Sequence, residues 1–343
     1  MEKKEIILNY LKTHGKSSLS NILSGIELDI SSATLKRHLS NLIEEKQVGT
    51  EGQGKAFKYF LSPGYEIFLP IDLNEYFKKE IDDRIVKSSY NFELLDWFKN
   101  TPLFTREELE KLNGLQQKFK ENISDLPEEL YKKDMERLAI DLSWKSSQIE
   151  GNTYSLLETE QLLKEKKTAA GKSKDEAVML LNHKEAIDFI IENPDYLEEL
   201  TVVRIENTHG ILVKELNVDR NIRRRRVGIT GTNYTPLDNE FQIREALENV
   251  CDLINNRDNV FEKALLLLVL ISYIQPFNDG NKRTARIVSN AQLIAKSYCP
   301  ISFRTVDSVD YKKAMLLFYE QNNITAFKKI FIEQFDFAVN NYF

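Results

Sequence analysis

Only two cysteines, Cys251 and Cys299, occur in 343 residues. That scarcity excludes a disulfide framework and a cysteine-built zinc finger. Thirteen glycines and eight prolines are too few for a low-complexity or collagen-like chain. Positive charge is not in excess, since 47 Lys and Arg against 53 Asp and Glu leave a net charge of −6. Global attraction to nucleic acid is therefore absent, and any such contact must come from a local patch. Long hydrophobic runs are missing too. The longest, residues 264–274, is interrupted by Ser272 and Tyr273. As a helix it would span about 16 Å, roughly half a bilayer core, so a buried core helix is expected. The charged start MEKKEIILNYLK leads into no secretory apolar stretch. These absences point to a soluble, cytoplasmic chain with no membrane contact. What is present is core material, with 42% hydrophobic residues and length for about two domains.

Residues 1–64 form a self-contained pattern. Ile6, Ile7, Tyr10 and Leu11 repeat at helical spacing up to Gly15. A short helix is expected at 18–23, and a third carries the apolar stripe Ala33, Leu35, Leu39, Leu42 and Ile43. Residues 48–50 and 56–61 flank a glycine-rich turn and predict a hairpin, closed by Pro63-Gly64. Three helices and a hairpin in that order make a winged helix-turn-helix. Residues 65–130 are a helical connecting region without evident chemistry. From 131 to 343 the pattern is almost wholly helical, with spans expected at 135–147, 155–166, 174–192, 197–216, 240–255, 260–274, 282–296, 310–321 and 325–339. One break, 226–236, has β-type residues around Gly228 and Gly231 and ends at Pro236, and it predicts a short β-hairpin. The fold expected is thus mainly α.

The most informative segment is Gln275-Pro276-Phe277-Asn278-Asp279-Gly280-Asn281-Lys282-Arg283-Thr284-Ala285-Arg286. An apolar helix ends, a polar loop follows, and a new helix opens near Lys282. Loop N–H groups beside a helix N-terminus form an anion site. Lys282, Arg283 and Arg286 crowd the first turn, where the helix dipole disfavours a cation by roughly 0.3–1 kcal/mol each. A polyanion would neutralise them; so would nearby acids on a plain surface loop, and both readings stand at this point. Asp279 could hold a divalent ion between phosphates, as single carboxylates do for Mg²⁺.

The same string resembles the signature of the Fic family (Fic/Doc, the Fido fold), which runs His-Pro-Phe-x-Asp/Glu-Gly-Asn-Gly/Lys-Arg-x-x-Arg. Pro276, Phe277, Asp279, Gly280, Asn281, Lys282, Arg283 and Arg286 match it. Upstream, the run from Ser146 to Asn152 resembles the family's Ser/Thr-x-x-x-Glu-Gly/Asn inhibitory motif through Ser146 and Glu150. Taken alone, that run also fits a helix end capped by Gly151. The break at Val227, Ile229, Thr230 and Gly231 resembles the flap on which the family lays a target segment by strand addition. The resemblance covers about residues 133–322, with core motifs at 146–286, and implies a Fic-type helical bundle with a β-hairpin flap. It implies ATP and Mg²⁺, with AMP passed to a Ser, Thr or Tyr hydroxyl of a protein. Phe277 would anchor the loop and Asp279 hold Mg²⁺. Asn278, Gly280 and Asn281 would cradle phosphates beside Lys282, Arg283 would contact the β-side phosphates, and Arg286 the γ-phosphate. Glu150 would pair with Arg286 and block productive ATP binding, since a carboxylate and a phosphate compete for one guanidinium. Members restrained by an N-terminal helix of this kind often self-associate, so a homodimer is an expectation by analogy.

Two positions depart from the family. Gln275 stands where the general-base His belongs, and an amide cannot accept a proton near neutral pH. Losing a general base typically costs ~10²–10⁴-fold in rate, while ATP binding does not need it. His14, His38, His183 and His209 offer no visible substitute. Lys282 stands where most adenylyl-transferring members have Gly. It resembles the Doc subgroup, which transfers the γ-phosphoryl group. Three readings follow: a weak or inactive adenylyltransferase, a catalytically dead ATP sensor that binds DNA, and a Doc-like phosphotransferase. For DNA, Ser32, Thr34, Lys36, Arg37 and His38 lie on the polar side of the third helix, with Lys55 and Lys58 beside the hairpin. Residues 1–62 hold nine basic and seven acidic side chains. The resulting +2 is a weak footprint, so a protein-binding role is equally open. The run 223–226, all arginine, is expected as a solvated basic edge, or one that steers an acidic ligand.

Overall fold

A computed structural model describes residues 3–343 except Lys46, Pro63 and Asn100, and every side chain among them but that of Lys55. Pro63 and the Lys55 side chain, both named above, thus lie outside the described residues. The chain divides into two compact units, Met1–Pro70 with Asp96–Pro102, and Ile71–Leu95 with Leu103–Phe343.

The first unit holds α1 (Lys3–His14), α2 (Leu19–Gly25), α3 (Ser32–Glu44), β1 (Val48–Glu51), β2 (Lys58–Leu61) and α4 (Tyr65–Phe68). Ser18 and Ser31 cap α2 and α3 by accepting the Asn21 and Thr34 N–H. The two strands pair antiparallel from Val48–Leu61 to Glu51–Lys58, and Ser17 adds a bridge to Tyr59. Ile7, Leu11, Ile22, Leu35, Leu39 and Leu42 form the core. Ala33, expected in the stripe, is exposed. It sits two residues before Leu35, about 200° round the helix from it.

The second unit is mainly helical. It starts with α5 (Leu73–Tyr76), and α6 (Leu94–Lys99) crosses the division between units. Then come α7 (Arg106–Ser124), α8 (Glu128–Ile149), α9 (Leu156–Glu165), α10 (Lys174–Glu192), α11 (Val202–Leu212), α12 (Glu240–Asn255), α13 (Val260–Ile274), α14 (Asn281–Ala295), α15 (Ser308–Gln321) and α16 (Thr325–Asn341). Capping boxes at Thr105/Glu108, Ser155/Glu158 and Ser173/Glu176 start α7, α9 and α10, each side chain satisfying a backbone N–H of the other residue. The apolar run forms α13, buried from Phe261 to Ile274. Helix α14 packs on it and on α8, α10 and α11, while α12, α15 and α16 cover its other sides. The α13–α14 junction thus lies in the best-packed part of the unit. Among the described residues, no helix is long and apolar enough to cross a membrane.

The hairpin expected at 226–236 does not form. Among the described residues this segment forms no strand pair with itself; its β-bridge, at Thr235, is to Ser89, and it turns at Thr230 and Gly231, the latter with φ +91°. Several of its polar groups are taken by residues 82–89. Arg84 Nη2 donates to Gly231 O (2.8 Å), Asn233 Nδ2 to Asp82 Oδ1 (3.0 Å), and the Thr235 N–H to Ser88 O (2.9 Å). The basic edge is corrected as well. Arg223 is buried, and its guanidinium donates to Gln275 O (2.6 Å), Arg225 O (2.8 Å) and Leu237 O. Only Arg224, Arg225 and Arg226 face solvent.

The central place of α13 is testable by chemical denaturation. Leu267→Ala, at a fully buried position, is expected to cost about 2–5 kcal/mol. Val203→Ala, at an exposed one, should stay within about 0.5 kcal/mol. Equal losses would show that α13 is not the core.

Candidate functional site

Helix α13 ends on Gln275, which takes the left-handed conformation (φ 53°) and returns its N–H to Ile271 O. That conformation costs a non-glycine residue roughly 1–2 kcal/mol, and side-chain bonds offset it. Gln275 Nε2 donates to Ser272 O (2.7 Å), and Oε1 accepts from Asn281 Nδ2 (3.0 Å). Asn281 also accepts the Phe277 N–H (2.8 Å) and donates to Phe277 O (2.8 Å). The Arg223 N–H holds Pro276 O (2.9 Å), and Thr284 Oγ1 donates to Gly280 O (3.0 Å). The loop 275–280 is therefore tied at nearly every step.

Beneath it, Phe277 is fully buried and stacks face to face on His209, with centroids 3.7 Å apart and rings 2° from parallel. His209 Nε2 lies 2.9 Å from Asp279 O and Nδ1 3.0 Å from Arg220 O. Burial lowers the His209 pKa, although the two carbonyls favour its protonated form. Gly280 has φ +80°, and a Cβ there would come within 3.2 Å of His209 Nε2. Only glycine seats the loop this close to the ring. His209 was given no role by its sequence; it shares a buried stripe with Ile205 and Leu212, which gave no sign of a loop contact.

Gly280 precedes α14 without any capping side chain, so the first N–H groups of α14 keep their donors for a ligand. They border a cavity of about 380 Å³, lined by Glu150, Val227, Gly228, Ile229, Thr230, Gln275, Lys312, Met315, Leu316, Tyr319 and the loop residues Asn278 to Lys282. The structure thus brings Gln275, Asn278, Asp279, Gly280, Asn281 and Lys282 of the expected loop to one cavity with three of the expected flap residues, while Arg283 and Arg286 are not in its lining. Gly231 falls behind the lining, with Leu316 3.3 Å from where its Cβ would be.

Each cation of the first turn has a carboxylate. Arg283 is almost fully buried; Nη2 meets Asp279 Oδ2 at 2.9 Å, and Nε has no hydrogen-bond partner. Arg286 is fully buried. Its Nε donates to Ser146 Oγ (2.8 Å), and its Nη2 to Ser146 O (3.0 Å) and Glu150 Oε1 (2.8 Å). Its Nη1 is unpaired, and the guanidinium lies 5.2 Å over the Tyr311 ring. The other Glu150 oxygen, Oε2, takes Lys282 Nζ at 3.1 Å. This second grip on Glu150 was not foreseen. Burial by itself would raise the Glu150 pKa, but Arg286 and then Lys282 more than offset it and hold it at about 2. His183, under the same two arginines, is kept neutral by burial and then by their charge. It points into the core and does not line the cavity.

Asp279 is an exposed carboxylate at the loop, and among the described residues no three His, Cys, Asp or Glu side chains cluster as a metal site. One carboxylate suits Mg²⁺ that shares substrate phosphates. The candidates of the first unit lie on α3, with Ser32, Lys36 and Arg37 exposed, and Thr34 half-buried and bonded to Ser31.

Residues 199–293 match a family model described as the Fic/DOC family. The protein adenylyltransferase Fic of Nematostella vectensis is 28% identical over 175 residues, 49% of this chain and 40% of that relative. The protein adenylyltransferase fic-1 of Caenorhabditis elegans is 25% identical over 171 residues, 48% of this chain and 33% of that relative. The chain thus matches well under half the length of these curated relatives. Among solved structures, Fic-1 (residues 134–508) of C. elegans superposes with a TM-score of 0.60 at 20% identity, over 69% of this chain and 72% of that one. A Fic domain containing signaling protein of Bacteroides thetaiotaomicron gives 0.58 at 21% identity, over 67% and 94%. The chain shares the Fic fold.

The charge arrangement predicts its own acid limit. The folded Glu150 pKa of about 2 lies below the ~4.3 of an unperturbed Glu. The stability this pair contributes is therefore present above roughly pH 5 and is lost as pH falls toward 2. A carboxyl-carbon NMR titration of Glu150 should show a midpoint near 2. A midpoint above 4 would mean that the two cations do not hold it.

Proposed function

We propose that the cavity binds ATP with Mg²⁺, that the site is built to pass AMP to a Ser, Thr or Tyr hydroxyl of a protein, and that Glu150 restrains it. The observation that carries this reading is the uncapped N-terminus of α14 facing a cavity beside two buried arginines with spare N–H donors. Buried guanidinium N–H groups without partners are costly, and a triphosphate supplies the missing acceptors. The adenylyltransferase relatives support the choice of nucleotide and reaction.

In this reading the loop N–H groups and Asn278, Gly280 and Asn281 cradle the α- and β-phosphates. Arg283 takes the β side, and Arg286 the γ-phosphate once Glu150 lets go. Lys282 is freed by the same event and adds a second cation to the triphosphate. Asp279 would hold Mg²⁺, which supplies charge neutralisation between phosphate oxygens. The acceptor oxygen forms a bond to the α-phosphorus as the bond to pyrophosphate breaks, and its proton must go to a base. Gln275 cannot take that proton: its Oε1 is an amide oxygen already accepting from Asn281. Neither His209 nor His183 replaces it, because neither lines the cavity. Transfer by the chain as it stands is therefore slow or absent.

The first unit is proposed to be a winged helix-turn-helix. Its element order, the Ser17–Tyr59 bridge and the exposed face of Ser32, Lys36 and Arg37 support that reading, with DNA as one ligand class for that face.

Radiolabel decides the chemistry. With α-labelled ATP, a Gln275→His, Glu150→Gly chain is expected to label protein at least ~10²-fold faster than Glu150→Gly alone, and the unaltered chain to label least. Equal rates with Gln and His at position 275 would refute the base argument. Label carried from γ-labelled but not α-labelled ATP would replace AMP transfer by phosphoryl transfer.

A further inference from the structure

Residues 76–91 run as a strap along the end of α15 and the flap segment. The Arg84 and Glu320 side chains are 3% and 0% exposed, and Arg84 Nη1 faces both Glu320 oxygens, at 3.1 and 3.3 Å. The Tyr76 hydroxyl donates to Glu320 Oε2 (2.7 Å), and the Lys87 N–H to Glu320 O (2.8 Å). Farther along, the Asn91 N–H meets the Tyr273 hydroxyl (3.0 Å) on α13. The strap is thus fixed to the helical core.

From that base Arg84 reaches the flap. Its Nη2 donates to Gly231 O at 2.8 Å, at the turn that follows the cavity-lining residues Val227 to Thr230. A planar guanidinium can hold a carboxylate with one amino group and a carbonyl with the other; a lysine ammonium cannot match both directions. Arg84 does not line the cavity, and its two terminal amino groups are already engaged by Glu320 and Gly231, so neither is left for a nucleotide. A buried ion pair adds little stability over an apolar pair of similar size, so stability alone does not explain its presence. What the arrangement does accomplish is to set where the flap turn sits.

We propose that Arg84 is a positioning residue for the flap, fixing the Gly231 turn so that an acceptor segment is presented to the cavity, without contributing to nucleotide affinity. The acceptor half of this statement rests on the proposed transfer reaction; the flap half does not.

The test uses the full chain with Gln275→His and Glu150→Gly as parent. Arg84→Lys keeps the charge opposite Glu320. Arg84→Met with Glu320→Gln removes the pair without leaving a buried carboxylate. Hydrogen exchange is read in peptides covering 232–237, where the Tyr234 and Thr235 amides are bonded to Thr232 Oγ1 and Ser88 O. Both variants should exchange there about tenfold faster or more, with α13 and α14 peptides unchanged. ATP affinity should stay within about twofold of the parent, while labelling from α-labelled ATP falls about 10–100-fold. Unchanged exchange at 232–237, or an ATP affinity that falls in step with labelling, overturns the proposal. A parent that neither binds ATP nor labels sinks the proposed reaction, and the exchange result still decides whether Arg84 holds the flap.

Discussion

Glu150 and Lys282 are each in the wrong place for their own helix, and Arg286 is fully buried one turn further along. Glu150 caps the C-terminus of α8, where the backbone dipole repels a carboxylate, and Lys282 opens α14, where it repels a cation. Brought together at 2.8 and 3.1 Å, the three charges relieve one another. The site depends on this mutual neutralisation. It lets Arg286 stay buried behind the cavity, as Asp279 does for Arg283, and each arginine keeps one nitrogen without a hydrogen-bond partner. Around the cavity Lys282 and Lys312 balance Glu150 and Asp279, and the two arginines buried behind the lining, Arg283 and Arg286, tip the local charge to positive.

The rest of the unit holds this arrangement rigid on one side and adjustable on the other. Below the loop, His209, Phe277, Asn281 and Arg223 fix the backbone at nearly every step, and Gly280 allows the loop to lie on the imidazole. Above the cavity, the flap has no strand partner of its own and is held from outside by residues 82–89. A rigid loop facing a segment held from outside suits the proposed transfer to an extended acceptor segment.

The α13–loop–α14 unit was legible because several kinds of signal agreed there: an apolar run bounded by a helix end, a polar loop, and cations at a helix start. Helix extents marked by capping boxes, such as 174–192, could likewise be read closely. The Glu150–Arg286 contact was reached through resemblance alone, since residues 136 positions apart give no local signal. The errors have physical causes. Residues 226–236 have strand-forming composition, but tertiary partners in 82–89 took the backbone groups that a hairpin would have paired. Arg223 belongs by sequence to a solvated basic run, yet three carbonyls inside the fold accept its donors. His209 reads as an ordinary buried helix residue, because stacking on Phe277 exists only after the chain returns through the loop. Lys282 was visible as a departure, but its partner was not.

If a carboxylate and a triphosphate compete for Arg286 and Lys282, removing the carboxylate must strengthen binding. Calorimetric titration of ATP with Mg²⁺ into the unaltered chain and into Glu150→Gly, side by side, measures this. The account predicts an affinity at least about tenfold higher in the variant, or roughly 1.4 kcal/mol. Equal affinities, or no binding by either chain, would contradict it.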